Sequence, residues 1–487
     1  MGVVVNQSFK NTVYTYLGFG LGAINTLFLY TNFLSEEYYG LVGYILSTAN
    51  ILTPLLCFGV QNTFVKFFRN YKSTNEQQAF STLMFFLPLF LIVPIGIIGA
   101  AGYEFIGMLL SKQNAVIQDY VGVIFFTAVA MAYFEVFFAW AKVHMKSVFG
   151  NFLKEVFHRA VVTVLLFLVY FEVISAHGFI MATLIMYVFR TVLMAVSAFN
   201  IKRPIFVFKL PFNWKNVLKY SSLIILAGSV AVILLDVDKF MIGQFKALEN
   251  VAFYNVAVFI ALVIVVPSRA MHQITYPLTA KLMSENNKTA LADLYKRSSL
   301  TLFVIGGFIF LLIMANINQL YLLIPQQYSG GVLVVFLIGL AKLFECLLGN
   351  NNSILFNSNY YRMVLFFGVL LAVLTIVLNI FFIPTFGING AAMATLISFS
   401  LYCLLKTWFV RKKLNMMPFT RDTAIAALVL FTLMPMFYFW DFPFHPIINI
   451  GLKSALVSGI FGLLLIKLNF SPDIKQQLWV LYKKINP

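Results

Sequence analysis

Long apolar runs, separated by short polar loops, recur along the whole chain. A helix needs about 20 apolar residues to cross a bilayer, and on that basis the chain is expected to cross about fourteen times. The runs cover 12–34, 40–66, 79–103, 118–141, 155–174, 178–200, 218–243, 252–280, 299–316, 330–356, 363–383, 388–410, 421–440 and 446–468. The first is full length and has no small-residue cleavage site after it, so it is expected to stay as the first span. Pro54, Pro88, Pro94 and Pro267 fall inside runs, where a missing backbone donor bends a helix. Pro384 closes the eleventh run, Gly387 and Gly390 supply a tight turn, and Ala391 opens the twelfth.

The polar positions are as ordered as the apolar ones. Loops after even-numbered runs carry Lys66, Arg69 and Lys72, then Lys142, Lys146, Lys154 and Arg159, then Lys202, Arg203, Lys209, Lys215 and Lys219, and similar groups follow as far as Lys406 to Lys413 and the tail lysines. Loops after odd-numbered runs hold Glu36, Glu37, Glu104, Asp119, Glu172, Glu249 and Asp441. By the positive-inside rule both termini are expected to be cytoplasmic, in a multi-pass protein of the cytoplasmic (inner) membrane. One missed or invented run would put later basic clusters on the wrong side, and none is misplaced.

Composition supports this picture and narrows it. Of 487 residues, 61% are hydrophobic and 10% charged, with a mean hydropathy of +0.90, which excludes a soluble domain. The net charge of +17 reports topology, and no nucleic-acid partner is expected. Cys57, Cys346 and Cys403 sit singly inside apolar runs with no metal or redox spacing. No nucleotide loop, nucleophile constellation or metal cluster stands out, so the chain is expected not to be an enzyme and to hold no cofactor.

An internal repeat sets the expected architecture. Met181 to Ile185 and Met393 to Ile397 are the same pentapeptide, and 393 lies 212 residues beyond 181. At that offset Gly178 falls on Gly390, Phe33 on Phe245, Glu37 on Glu249 and Ala49 on Ala261. Runs one to six and seven to twelve superimpose with the same parity, a parallel repeat. The expected parts are an N-terminal six-helix bundle (1–212), a second bundle (213–418), an appended helix pair (419–470) and a cytoplasmic tail (471–487) that is either a surface helix or frayed.

Three stretches carry a family likeness: Phe33 to Gly43, Asp238 to Gly243 with Glu249 to Tyr254, and Pro384 with Gly387 to Thr395. On these the chain resembles the Wzx-like polysaccharide flippases of the multidrug/oligosaccharidyl-lipid/polysaccharide (MOP) exporter superfamily. The resemblance implies an all-α, MATE-like fold of two bundles around a central cavity. It also implies a lipid-pyrophosphate-linked sugar as cargo, of the kind that feeds O-antigen and lipopolysaccharide assembly. An arginine frequent in the family's first span is missing, as that run offers only Asn25, Thr26 and Asn32.

Ionisable residues within spans are expensive and usually functional. Arg269 lies near mid-span, where a guanidinium is expected to meet phosphate or acidic sugar; the alternative is a structural ion pair. Arg190 is a second substrate-binding candidate that could instead snorkel to the headgroups. Lys342 and Glu345, three apart on one helix face, are either mutually neutralising or a switchable pair meeting the cargo. Ion-coupling candidates are Glu135, Asp236, Asp238 and Lys239. Glu135 is expected to bond to Lys142 or Lys146 if it is structural, and Asp238 to pair with Lys239. His272 is expected to be a packed neutral imidazole.

With the resemblance, these residues lead to the expectation of a flippase that moves an undecaprenyl-pyrophosphate-linked oligosaccharide from the cytoplasmic to the outer leaflet by alternating access, coupled to H+ or Na+. Membrane lipids, a polysaccharide polymerase and glycosyltransferases of the same pathway are the expected partners. The alternatives are a cation-coupled multidrug exporter of the same superfamily and a peptidoglycan-precursor flippase.

Overall fold

The computed structural model describes residues 2–471 and 473–475. All regular structure among the described residues is helical, as hydrocarbon demands, since a helix satisfies its own backbone donors and acceptors. Eleven helices among the described residues are long and apolar enough to cross a membrane. The difference from the fourteen expected lies at three places. The fifth run is divided into Val148–Phe152, a π-helical turn Leu153–Phe157 and His158–Tyr170, and carries Lys154, Glu155 and Arg159. The seventh, within Trp214–Phe245, includes side chains outside the described set. The eleventh and twelfth are joined in one element, Tyr361–Leu414.

That joined element is broken at Gly387, whose φ of 58° and ψ of −134° are not helical. Pro384 therefore stays within the first arm and the reversal rests on one glycine. Gly390 serves closeness instead: a Cβ there would lie 2.1 Å from the carbonyl oxygen of Phe382. The other expected bends also take local form. Three residues past Pro54 the second run breaks at Cys57 to Gly59, with Gly59 at a φ of 65°, and a 3-10 turn Val263–Val265 leads into Pro267.

Two compact units divide the chain, Met1–Asn255 and Val256–Pro487. In the first, helix Glu36–Leu56 packs along Trp214–Phe245 and Val121–Val143, and Ala176–Ile201 lies along Val121–Val143. A Cβ on Gly40 would come within 1.8 Å of the Leu248 carbonyl oxygen. Helix Gly2–Ile24 meets the fifth run where both helices are irregular: π-helical turns occur at Asn25–Leu29 and Leu153–Phe157. Asn25 Nδ2 donates to the Arg159 carbonyl at 2.9 Å, and Thr163 donates to Asn25 Oδ1 at 2.8 Å. At a cytoplasmic turn expected from the charge pattern, Tyr71 donates to Asn213, and burial pushes its phenol up to about 12, so it stays a neutral donor.

In the second unit, helix Lys288–Tyr321 contacts Val266–Ser284, Val332–Leu347, Arg421–Tyr438 and Pro446–Leu468. Arg421–Tyr438 and Pro446–Leu468, expected as an appended pair, thus both pack on Lys288–Tyr321. A knot of amides ties this unit together after the left-handed Gly349 (φ 51°). Ser298 donates to Asn350 Oδ1 at 3.2 Å, Asn350 donates to Thr279 at 2.9 Å, and Asn351 donates to the Tyr295 hydroxyl at 2.7 Å. Buried polar groups need partners of this sort, most of all where no water competes. Most of the tail expected at 471–487 lies outside the described residues; Asp473 reaches Arg297 at 3.4 Å.

Candidate functional site

The charged side chains within the helices fall into two groups, one in each unit. In the first unit, Glu135 on Val121–Val143 bonds to Lys154 at 2.5 Å. The expected partners were Lys142 and Lys146. Lys142, two turns along the same helix, lies instead over the Phe138 ring at 3.8 Å, and the fold-back of the fifth run brings in Lys154. Arg159 pairs with Glu155 one turn before it, at 3.2 Å.

Arg190 is buried at 6% exposure, so it does not snorkel to the membrane surface. Its guanidinium lies over Phe134 at 4.3 Å and Tyr187 at 4.7 Å, and its Nε has no hydrogen-bond partner. Aromatic faces offset part of the cost of burying a cation, and no carboxylate is bonded to it.

Asp236 and Asp238 are both buried. Lys239 pairs with Asp236 at 3.3 Å, since residues three apart on a helix share a face. Asp238 accepts from the Tyr254 hydroxyl at 2.6 Å.

In the second unit Lys342 and Glu345 form the local pair read from the sequence, at 2.9 Å, with Lys342 buried and Glu345 partly open. Lys342 also lies 4.4 Å from the Phe399 ring centre. His272, half-buried, lies within electrostatic reach of Glu345 and Lys406. Arg269 is exposed and makes no hydrogen bond or ion pair with any described residue, so the alternative of a structural ion pair is not formed. It stands early in helix Val266–Ser284, just past the 3-10 turn.

Two buried lysines were missing from the expected intramembrane set. Lys406, assigned to a cytoplasmic loop, is fully buried and bonds to Asn352 and to the Tyr402 hydroxyl. Lys453, also fully buried, bonds to Asp441 at 2.8 Å. Both lie inside apolar runs, and that position was the available signal. Near Lys406, an apolar cleft of about 570 Å3 is lined by Phe303, Phe344, Leu347, Leu404, Phe419 and Ala427 among others. Among the described residues no three His, Cys, Asp or Glu side chains could hold a metal ion, and the three cysteines are buried and unbridged.

Residues 4–283 match the family described as polysaccharide biosynthesis protein. An uncharacterized membrane protein of Methanocaldococcus jannaschii is 23% identical over 275 residues, 53% of this chain and 53% of its own length. A protein named probable flippase AglR, from Haloferax volcanii, is 28% identical over 190 residues, 37% of this chain and 39% of its own length. The matches thus span about half or less of these relatives. Among solved structures, the lipid II flippase MurJ in an inward closed conformation superimposes with a TM-score of 0.73 at 14% identity, covering 94% of this chain and 99% of that one. An inward-facing multidrug resistance MATE family transporter of the MOP superfamily gives 0.59 at 16% identity, covering 85% and 95%. At such identities the likeness is one of fold.

Proposed function

Because the chain belongs to the polysaccharide biosynthesis protein family, we propose that it is a flippase carrying a polyprenyl-diphosphate-linked oligosaccharide, of the undecaprenyl type, from the cytoplasmic to the outer leaflet. The observation that carries the reading is Arg269, a guanidinium within a membrane-spanning helix that no described protein group neutralises. A diphosphate is the matching ligand, since guanidinium presents paired donors to phosphate oxygens. Burying the diphosphate's charge in hydrocarbon is the main barrier to flipping, and a cation positioned along the route lowers it.

Arg190 and Lys342 are the further proposed contacts, each already held over aromatic rings. The apolar cleft bordered by Phe344 and Leu404 has the chemistry to take part of a polyprenyl tail. Alternating access coupled to H+ or Na+ would drive the cycle, with Glu345, Glu135, Asp236, Asp238 and Lys239 as the groups that could bind the ion. Export of cationic drugs, the rival reading, would call for acids left open to the ligand. Here Glu135 and Asp236 are each paired with a lysine. On the flippase reading, the termini are cytoplasmic and the chain acts beside glycosyltransferases and a polymerase. Deleting the gene should remove surface glycan and leave its lipid-linked precursor to accumulate; normal surface glycan in the deletion strain would reject the proposal.

A further inference from the structure

The link between the sixth and seventh runs is a strap with an unusual surface. Helix Ala176–Ile201 ends before it, helix Trp214–Phe245 begins after it, and residues 202–213 between them form neither helix nor strand. Its large apolar side chains Ile205, Phe206, Phe208, Leu210 and Phe212 are all exposed, Phe208 at 83% and Phe212 at 74%. Arg203 and Lys209 are interleaved with them, and Lys202, Lys215 and Lys219 flank them. Single exposed apolar residues are ordinary, whereas a run this dense marks a contact surface.

The strap cannot fold these side chains inward, because side chains of the earlier runs hold its backbone. Trp140 Nε1 donates to the Lys202 carbonyl at 3.0 Å, the Val207 amide donates to Thr82 at 2.9 Å, and the Phe212 amide donates to Glu76 at 3.2 Å. Tyr71 donates to Asn213 at the end of the strap. Phe206 meets Phe86 at a ring-centre separation of 5.6 Å, Phe208 meets Phe86 at 5.5 Å, and Phe212 meets Tyr71 at 5.7 Å. Part of each ring is thus fixed and the rest stays open. A non-helical segment can sit at the edge of hydrocarbon when its backbone polar groups are satisfied by the protein. Lys202, Arg203, Lys209, Lys215 and Lys219 form no ion pair with any described residue, so their charge is open to an outside partner.

We propose that this strap docks on anionic lipid, with Phe208, Leu210 and Phe212 in the acyl edge of the leaflet and Arg203, Lys209 and their neighbours against phosphate headgroups. The strap starts where the membrane-spanning helix Ala176–Ile201 ends, so its open side chains lie level with the bilayer surface. Apolar side chains partition into that boundary, and Lys and Arg are drawn to anionic headgroups. A protein partner fits less well, since lysine is depleted in protein interfaces and recurs here. Docking fixes the link between the sixth and seventh runs to the leaflet. It needs no cargo and stands apart from the flippase reading.

Single cysteines test this in the full-length protein, with the buried Cys57, Cys346 and Cys403 replaced by alanine. Phe208→Cys and Phe212→Cys are placed in lipid nanodiscs, which leave both membrane faces open to a water-soluble maleimide. Rates are read relative to Glu285→Cys, an exposed position in another loop of the basic side, which corrects for surface potential. With phosphatidylglycerol in the discs, both cysteines should react at least about tenfold more slowly than in phosphatidylcholine alone. Adding Arg203→Gln with Lys209→Gln should remove the difference. Equal rates in the two lipids would overturn the proposal, whether the strap stays reactive in both or is shielded in both by the chain itself. Fast reaction in phosphatidylglycerol discs with protection in inverted native membrane vesicles would also overturn it, and would assign the surface to a protein partner.

Discussion

Replacing Arg269 by alanine should lower glycan export by at least about tenfold while leaving the protein folded. Charge-assisted hydrogen bonds of the kind a guanidinium makes with phosphate are worth about 1.5–3 kcal/mol each, so losing even one lowers transport by about tenfold to a hundredfold. The side chain is exposed and bonded to no described residue, so its removal should change thermal stability by no more than about 0.5 kcal/mol. Arg269→Lys should retain part of the activity, since it keeps the charge and loses the paired donors. Complementation of a deletion strain, with protein level measured in the membrane fraction, checks all three outcomes. Full export by Arg269→Ala would remove this residue from the mechanism.

The second large effect concerns stability. Asp441→Asn should destabilise the C-terminal helix pair by about 1–3 kcal/mol, because it removes the counter-charge of a buried lysine while Asp441 itself is exposed and water screens part of the attraction. Lys453 is fully buried and its ammonium is bonded to Asp441 at 2.8 Å. The neighbouring Asn449 donates to the Phe442 carbonyl at 2.8 Å, so the turn around Asp441 is held at two points. Lys453→Met combined with Asp441→Asn should recover most of the loss, since an apolar side chain of similar length fills the same space. Thermal unfolding of the purified protein in detergent measures the set, and the interaction between the two sites is read from the double-mutant cycle. Equal stability of Asp441→Asn and the natural protein would show that Lys453 needs no counter-charge.

What could be read from the sequence was what depends on neighbours along the chain. The turn at Gly387 was legible because Pro384 and closely spaced glycines stand at the end of an apolar run, although the chain needed only one of them for the reversal. Lys342 with Glu345 was legible because three residues on a helix share a face. The same rule joins Lys239 to Asp236.

Partners brought in by folding were not legible. Glu135 meets Lys154 across a helical turn that only the packing of the fifth run defines. Lys406 and Lys453 lie toward the ends of apolar runs, where a long side chain is expected to reach the headgroups. Lys406 is held by Asn352, 54 residues away, as well as by Tyr402 one turn earlier, and Lys453 by Asp441, twelve residues back across the turn before its helix. The paired π-helical turns at Asn25–Leu29 and Leu153–Phe157 have no composition of their own and become visible only where the two helices meet.

The central claim is that this chain moves a lipid-linked oligosaccharide across a bilayer. The most direct measurement reconstitutes the purified protein into vesicles holding a fluorescently labelled polyprenyl-diphosphate oligosaccharide and follows loss of the inner-leaflet pool to a membrane-impermeant quencher. The account predicts movement well above that of protein-free vesicles, lowered at least about tenfold on replacing Arg269 by alanine. Movement equal to that of protein-free vesicles would contradict it.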